Sequence, residues 1–118
     1  MKFNKLIPEL CVSDLKRSLH FYTDIVGFKI EYQREESKFA FISLGGAQMM
    51  LEENSNSAWK TGRLEHPFGR GVNFQIEVNA VKPLLERLKK HDYPIKSMPR
   101  EKWYRKGDNL LGVREFLV

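Results

Sequence analysis

The side chains that could do chemistry are few and scattered. Three histidines and one cysteine occur in 118 residues. His20 falls between Leu19 and Phe21 in a stretch of helical period and reads as a partly exposed helix residue. His91 stands near a second helix end, where a charged imidazole complements the dipole. His66 lies beside Pro67 in a segment without period, where it would be free to touch a ligand. Cys11 sits inside an apolar run and reads as a buried structural thiol. There is no G-x-S-x-G, no phosphate loop and no H-E-x-x-H. Gly69-Arg-Gly71 is a loop motif without the rest of a nucleotide site. Glu9, Glu52 and Glu77 would serve as general bases only if a cleft raised their pKa values. Without a metal to acidify a substrate, they read more simply as edge or surface carboxylates.

One domain must hold these groups, since a chain of this length buries about two-thirds of its unfolded surface in a single core. A 42% hydrophobic and 30% charged composition is that of an ordinary globular chain. No apolar run approaches the roughly 20 residues of a membrane helix. The opening residues 1–10 lack the apolar stretch and cleavage site of a signal peptide. A lone cysteine cannot close an internal disulfide, so a reducing, cytoplasmic location is expected. Twenty basic residues against 15 acidic give a net charge of +5. They are dispersed, and the one basic-aromatic stretch, Arg100 to Lys106, is interrupted by Glu101. The charge therefore reads as solvated surface, with neither nucleic acid nor membrane as partner.

Alternation over residues 3–12 predicts a strand. Leu6, Pro8, Leu10 and Val12 take one face, and Ile7, Glu9 and Cys11 the other. Pro8 lacks an N–H donor and favours an edge. Ser13 is the expected N-cap of a helix carrying Leu15, Leu19, Tyr22 and Val26, with Gly27 as its C-cap. Strands are expected from Phe28 to Arg34, Phe39 to Leu44 and Ala47 to Glu53, the last two joined by Gly45-Gly46. Residues 54–71 form the one long loop. Val72, Phe74, Ile76 and Val78 then alternate with polar residues as another strand, followed by Asn79 as cap. Val81, Leu84, Leu85 and Leu88 make a second helical stripe, with Pro83 tolerable in its first turn. Strands resume from Ile95, with a turn at Lys106-Gly-Asp108 and a final strand from Val113 to Val118.

The two halves repeat at an offset of 66: Leu10 with Ile76, Val12 with Val78, Ser13 with Asn79, Leu15 with Val81, Leu19 with Leu85. Neither half holds a sufficient core alone, so the halves must pack or pair their sheets. Pro8-Glu-Leu-Cys-Val-Ser-Asp-Leu15 and Ser18-Leu-His-Phe-Tyr-Thr-Asp-Ile-Val-Gly-Phe28 resemble the opening of the glyoxalase/bleomycin resistance/extradiol dioxygenase (vicinal oxygen chelate) superfamily. Gly112-Val-Arg-Glu-Phe116 and Pro8 resemble its bleomycin-resistance branch. The resemblance implies an α+β fold of two βαβββ modules, residues 1–53 and 72–118, whose curved mixed sheets form a shared cleft. It also implies a D-P-x-G turn and one more strand beyond Val118, so the second module is expected to be shortened, with an unpaired sheet edge.

In catalytic branches, the resemblance implies one metal ligand from each of four strands. Carried over by motif, the positions here are Ile7, Met50 and Asn73, with the fourth beyond Val118. Ile and Met offer no hard donor and Asn alone is weak, so no metal and no other cofactor is expected. Strand parity turns Glu9, Asn73 and Gln75 away from the helices. With Phe39, Met50, Trp59, Trp103 and Phe116 they are the expected ligand-binding residues: flat walls with a few amides and carboxylates. The resemblance then implies a metal-free protein that sequesters a bleomycin-type antibiotic in the groove of a homodimer. The net charge of +5 favours a different or anionic ligand. The competing class is a metal-dependent lyase, thiol transferase or dioxygenase of the same superfamily, and a basic nucleic-acid module is a third.

Overall fold

A computed structural model describes residues 1–118. They form two compact units, Met1–Glu77 and Val78–Val118. The first contains β1 (Glu9–Val12), α1 (Leu15–Leu19), a π-helical run His20–Val26, β2 (Lys29–Arg34), β3 (Phe39–Leu44) and β4 (Ala47–Glu53). The sheet order is β1-β4-β3-β2, with β1 parallel to β4 and the other pairs antiparallel.

Each element has a local cause. Gly45 and Gly46 take φ of 52° and 91°, the left-handed pair that a two-residue hairpin between β3 and β4 requires. The helix cap is Asp14 rather than Ser13: its Oδ1 accepts the Arg17 N–H at 3.0 Å. Both residues carry a suitable oxygen, and the extended backbone falls on the second of them. The Leu15 N–H donates to Glu53 Oε2 at 3.1 Å, so the end of β4 satisfies the start of α1. The helix ends at Gly27, left-handed at φ 105°. Between them the turn widens. Gly27 and Phe28 N–H groups both reach the Tyr22 carbonyl, at 3.0 and 2.8 Å.

The core lies between α1 and one sheet face. Leu15, Phe28, Ala40, Ile42, Met49 and Leu51 are buried together, with Leu10, Val12, Leu19, Tyr22 and Val26 against them. Full burial of each large aliphatic side chain contributes about 1.5–3 kcal/mol. The expected strand over residues 3–12 shrinks to Glu9–Val12, and Leu6 stays exposed. Only these four residues pair in register with β4, though the Pro8 carbonyl still accepts the Met50 N–H at 2.9 Å.

In the second unit, α2 (Val81–Lys90) buries Leu88, and β5 (Ser97–Lys106) pairs antiparallel with β6 (Asn109–Leu117). The α2 N-cap is Ala80 with no side-chain hydrogen bond, not Asn79. Leu15 and Val81 nevertheless start helices at the offset read from the sequence. The register of β5 slips between Ser97 and Arg100, where Pro99 has no N–H to donate.

Residues 72–78, expected as a strand, make no ladder, and the second unit, which begins at Val78, shows one helix and a hairpin. In the first unit β1 borders only β4. The second unit has two strands after α2, paired with each other, and neither takes the part of β4. An alternating segment without a partner edge forms no strand, and Ile76 packs instead against the first unit's core.

Candidate functional site

The sheet face opposite α1 is set by parity and one bulge. Glu9 pairs with Met50 and Cys11 with Glu52 across β1 and β4. Phe41 pairs with Met50 and Phe39 with Glu52 across β3 and β4. In β2 an extra residue between Ile30 and Tyr32 shifts the register, so Ile30 faces Ile42 but Tyr32 faces Phe41 and Arg34 faces Phe39. Phe28 and Ile30 serve the core side, and Tyr32 and Arg34 the open side.

The result is an aromatic wall. Tyr32 stacks on Phe41 with centroids 5.2 Å apart and planes 12° apart. The Arg34 guanidinium carbon stands 3.8 Å from the Phe39 ring centroid. Phe3 meets Phe41 edge-on at 5.4 Å. Toward the Gly45-Gly46 turn, the buried Gln48 carboxamide accepts the Asn4 N–H at 2.8 Å and donates to the Lys2 carbonyl at 2.7 Å.

Beside the wall stands a carboxyl pair. Burial raises the Glu9 pKa first, and the hydrogen bond and charge of Glu52 raise it further, while Arg34 opposes them. Cys11 is pushed up mainly by burial and by the nearby carboxylates, against the pull of Lys60. Its Sγ donates to Asn54 Oδ1 at 3.6 Å. A thiol held above its usual pKa is a poor nucleophile at neutral pH. Glu53 is held below the usual carboxylate range by the Leu15 N–H and by Lys38, whose Nζ lies 3.0 Å from Oε1. It is a structural cap.

No three His, Cys, Asp or Glu side chains converge as a metal-binding group. His20 pairs with Asp24 at 2.7 Å on the helix surface, and His66 stacks on Phe68 at 4.7 Å. At the positions where the resemblance implies ligands, Ile7, just before β1, and Met50, on β4, supply no hard donor, so this donor set does not fit a divalent ion. What the face can do is hold a planar group by stacking and a positive group by carboxylates.

Of the expected site residues, Glu9, Phe39 and Met50 come together on this face. Trp59 is 89% exposed on the long loop. Asn73 and Gln75 are exposed in the unpaired segment. Trp103 and Phe116 share one face of the β5–β6 hairpin by parity. There the Trp103 indole lies over Gly112, where a Cβ would sit 2.7 Å from its ring. The sequence reading missed Tyr32 and Arg34, because strict alternation from Phe28 puts them on the core side. Gln48 was not among its expected ligand-binding residues.

No helix is long and apolar enough to cross a membrane. The chain is 29% identical over 91 residues to the bleomycin resistance protein of Staphylococcus aureus, covering 70% of this chain and 67% of that one. The bleomycin resistance protein of Geobacillus stearothermophilus matches equally, with 29% identity over 91 residues. The fold of this chain resembles that of a virulence protein from Salmonella typhimurium, with 15% identity, a TM-score of 0.60, and 99% and 100% of the two chains covered. It also resembles the fosfomycin resistance protein FosX from Listeria monocytogenes, with 22% identity, a TM-score of 0.58, and 97% and 92% covered. The model of the Glyoxalase/Bleomycin resistance protein/Dioxygenase superfamily matches residues 4–110, and the chain belongs to that superfamily.

Proposed function

We propose that this chain is a cytoplasmic small-molecule binding protein that sequesters a flat, cationic, glycopeptide-type antibiotic without converting it. The observation that carries the reading is the Tyr32 ring and Arg34 guanidinium lying over the buried Phe41 and Phe39, beside the Glu9–Glu52 carboxyl pair, on the sheet face opposite α1. Stacking surfaces hold planar heterocycles, and paired carboxyls hold ammonium or amidinium groups. The residue types at the family's ligand positions, and a Cys11 thiol pushed up by burial, support binding rather than metal-assisted or thiolate chemistry. The 29% match to bleomycin resistance proteins supports bleomycin as the first compound to try.

The reading includes a homodimer of two such chains, with an interface on the order of 2,000 Å² if obligate. Trp59, Asn73, Gln75, Trp103 and Phe116 are proposed to complete the groove that the pair makes. Calorimetric titration with bleomycin tests the function. Saturable heat with the drug recovered intact is expected. A chemically altered drug returns the case to an enzyme, and no heat removes the sequestration role. Sedimentation as a monomer at micromolar concentration removes the dimer.

A further inference from the structure

Residues 2–4 lie across one end of the open face in the way a ligand would. Gln48 is a buried polar side chain, and both ends of its carboxamide are used by a passing backbone. Oε1 accepts the Asn4 N–H at 2.8 Å and Nε2 donates to the Lys2 carbonyl at 2.7 Å. A carboxamide that reads one N–H and one C=O recognises peptide units whatever their side chains. Between these bonds Phe3 points its ring at Phe41, edge-on at 5.4 Å, and Phe41 is backed by Tyr32 at 5.2 Å. Asn4 Nδ2 adds a bond to the Gly46 carbonyl at 2.7 Å. The four strands complete their ladders without this segment, and Phe3 remains 55% exposed.

The geometry points to a subsite for a peptide-type amide carrying an aromatic ring, built from Gln48, Phe41 and Tyr32 and filled at rest by the chain's own residues 2–4. It rests on the proposed function above, since a glycopeptide drug carries both groups, and it names the part of the ligand that binds here. A tethered occupant acts at an effective concentration in the millimolar range. A free ligand must displace it, so the observed affinity falls below the intrinsic one by the fraction of time the subsite is open.

The probe is acetyl-Lys-Phe-Asn-amide, a copy of residues 2–4. Asn4→Pro removes the N–H that Gln48 reads and the side-chain amide, and Phe3→Ala removes the ring. The readout is the Gln48 side-chain NH₂ resonance. In the Phe3→Ala/Asn4→Pro protein the peptide should shift it with half-saturation at least about tenfold lower than in wild type, with Phe3→Ala alone in between. Adding Gln48→Met should abolish the saturable response, followed then on the Tyr32 ring signals. Equal titrations in wild type and the double variant overturn the subsite, as does a peptide response that survives Gln48→Met. Bleomycin separates the two readings. A peptide response with no drug binding to either protein keeps the subsite and removes the drug. Drug binding of equal strength in both proteins, with no peptide response, keeps the drug and removes the subsite.

Discussion

Glu9→Gln should raise stability and lower affinity for a cationic ligand at the same time. Glu9 holds its proton above the usual carboxylate range because it is partly desolvated and hydrogen-bonded to Glu52. The folded state therefore binds more protons than the unfolded state from about 4.5, the ordinary glutamate value, upward. The linkage slope is negative there: stability falls as pH rises through this window and is flat above the folded pKa. Where both carboxylates carry charge they repel. For charge centres about 4 Å apart, Coulomb's law gives about 1 kcal/mol in water and about 4 at an effective dielectric of 20. Glu9 is solvent-exposed and Arg34 offsets part of its charge, so the lower value, discounted for screening, applies. A glutamine amide donates to Glu52 instead, and a gain of about 0.5–1 kcal/mol, or 2–4 °C in Tm, is expected. Thermal melts from pH 4 to 8 check it, and the variant's profile should lose the wild-type decline above pH 4.5. Binding should move the other way: the lost carboxylate should weaken a cationic drug by about 1–2 kcal/mol, less at high salt. A variant that is less stable at pH 7 with an unchanged pH profile refutes the carboxyl-pair reasoning.

Leu51 is wholly buried between sheet and helix, so Leu51→Ala should cost about 2–5 kcal/mol in denaturant titrations. Gly112→Ala places a methyl against the Trp103 ring, which is 64% exposed and free to swing aside. In a Trp59→Phe background its emission should shift red, at a stability cost below about 1 kcal/mol. The Cys11 thiol should react with a disulfide reagent more slowly than free cysteine at pH 7, and the rate should climb as pH passes the usual thiol range. Fast reaction at neutral pH would show a thiolate on the open face.

What was legible in the sequence is what neighbouring residues decide. The bounds Phe39–Leu44 and Ala47–Glu53 follow from two apolar runs around Gly45-Gly46, because only a left-handed pair closes so short a hairpin. The helix starting at Leu15 follows from its apolar stripe, and the cap missed by one residue because Ser13 and Asp14 are both acceptors. What was not legible depends on distant partners. Alternation from Val72 to Val78 is a strand only where an edge exists to receive it. The extra residue of β2 leaves no mark in composition, yet it turns Tyr32 and Arg34 from the core side to the face opposite α1. Gln48 looks like any polar residue of a strand until residues 2–4 fold back onto it.

Net charge is the other place where a whole-chain quantity misleads. A value of +5 argues for an anionic ligand only if the excess lies near the site. Residues 1–77 carry ten basic and ten acidic side chains, and residues 78–118 carry ten and five. The entire excess belongs to the second unit. Part of that unit's charge is also locally matched, since Glu101 stands opposite Arg114 and Glu115 lies 4.0 Å from Arg100 while accepting from the Tyr104 hydroxyl. Screening over about 8 Å at physiological salt makes the nearest groups decide what an open face attracts. On the first sheet those groups are Glu9, Glu52, an Arg34 already engaged on Phe39 and a Lys60 bound to Asn54 Oδ1 and the Ser55 carbonyl, a locally balanced set rather than the positive excess of the whole chain.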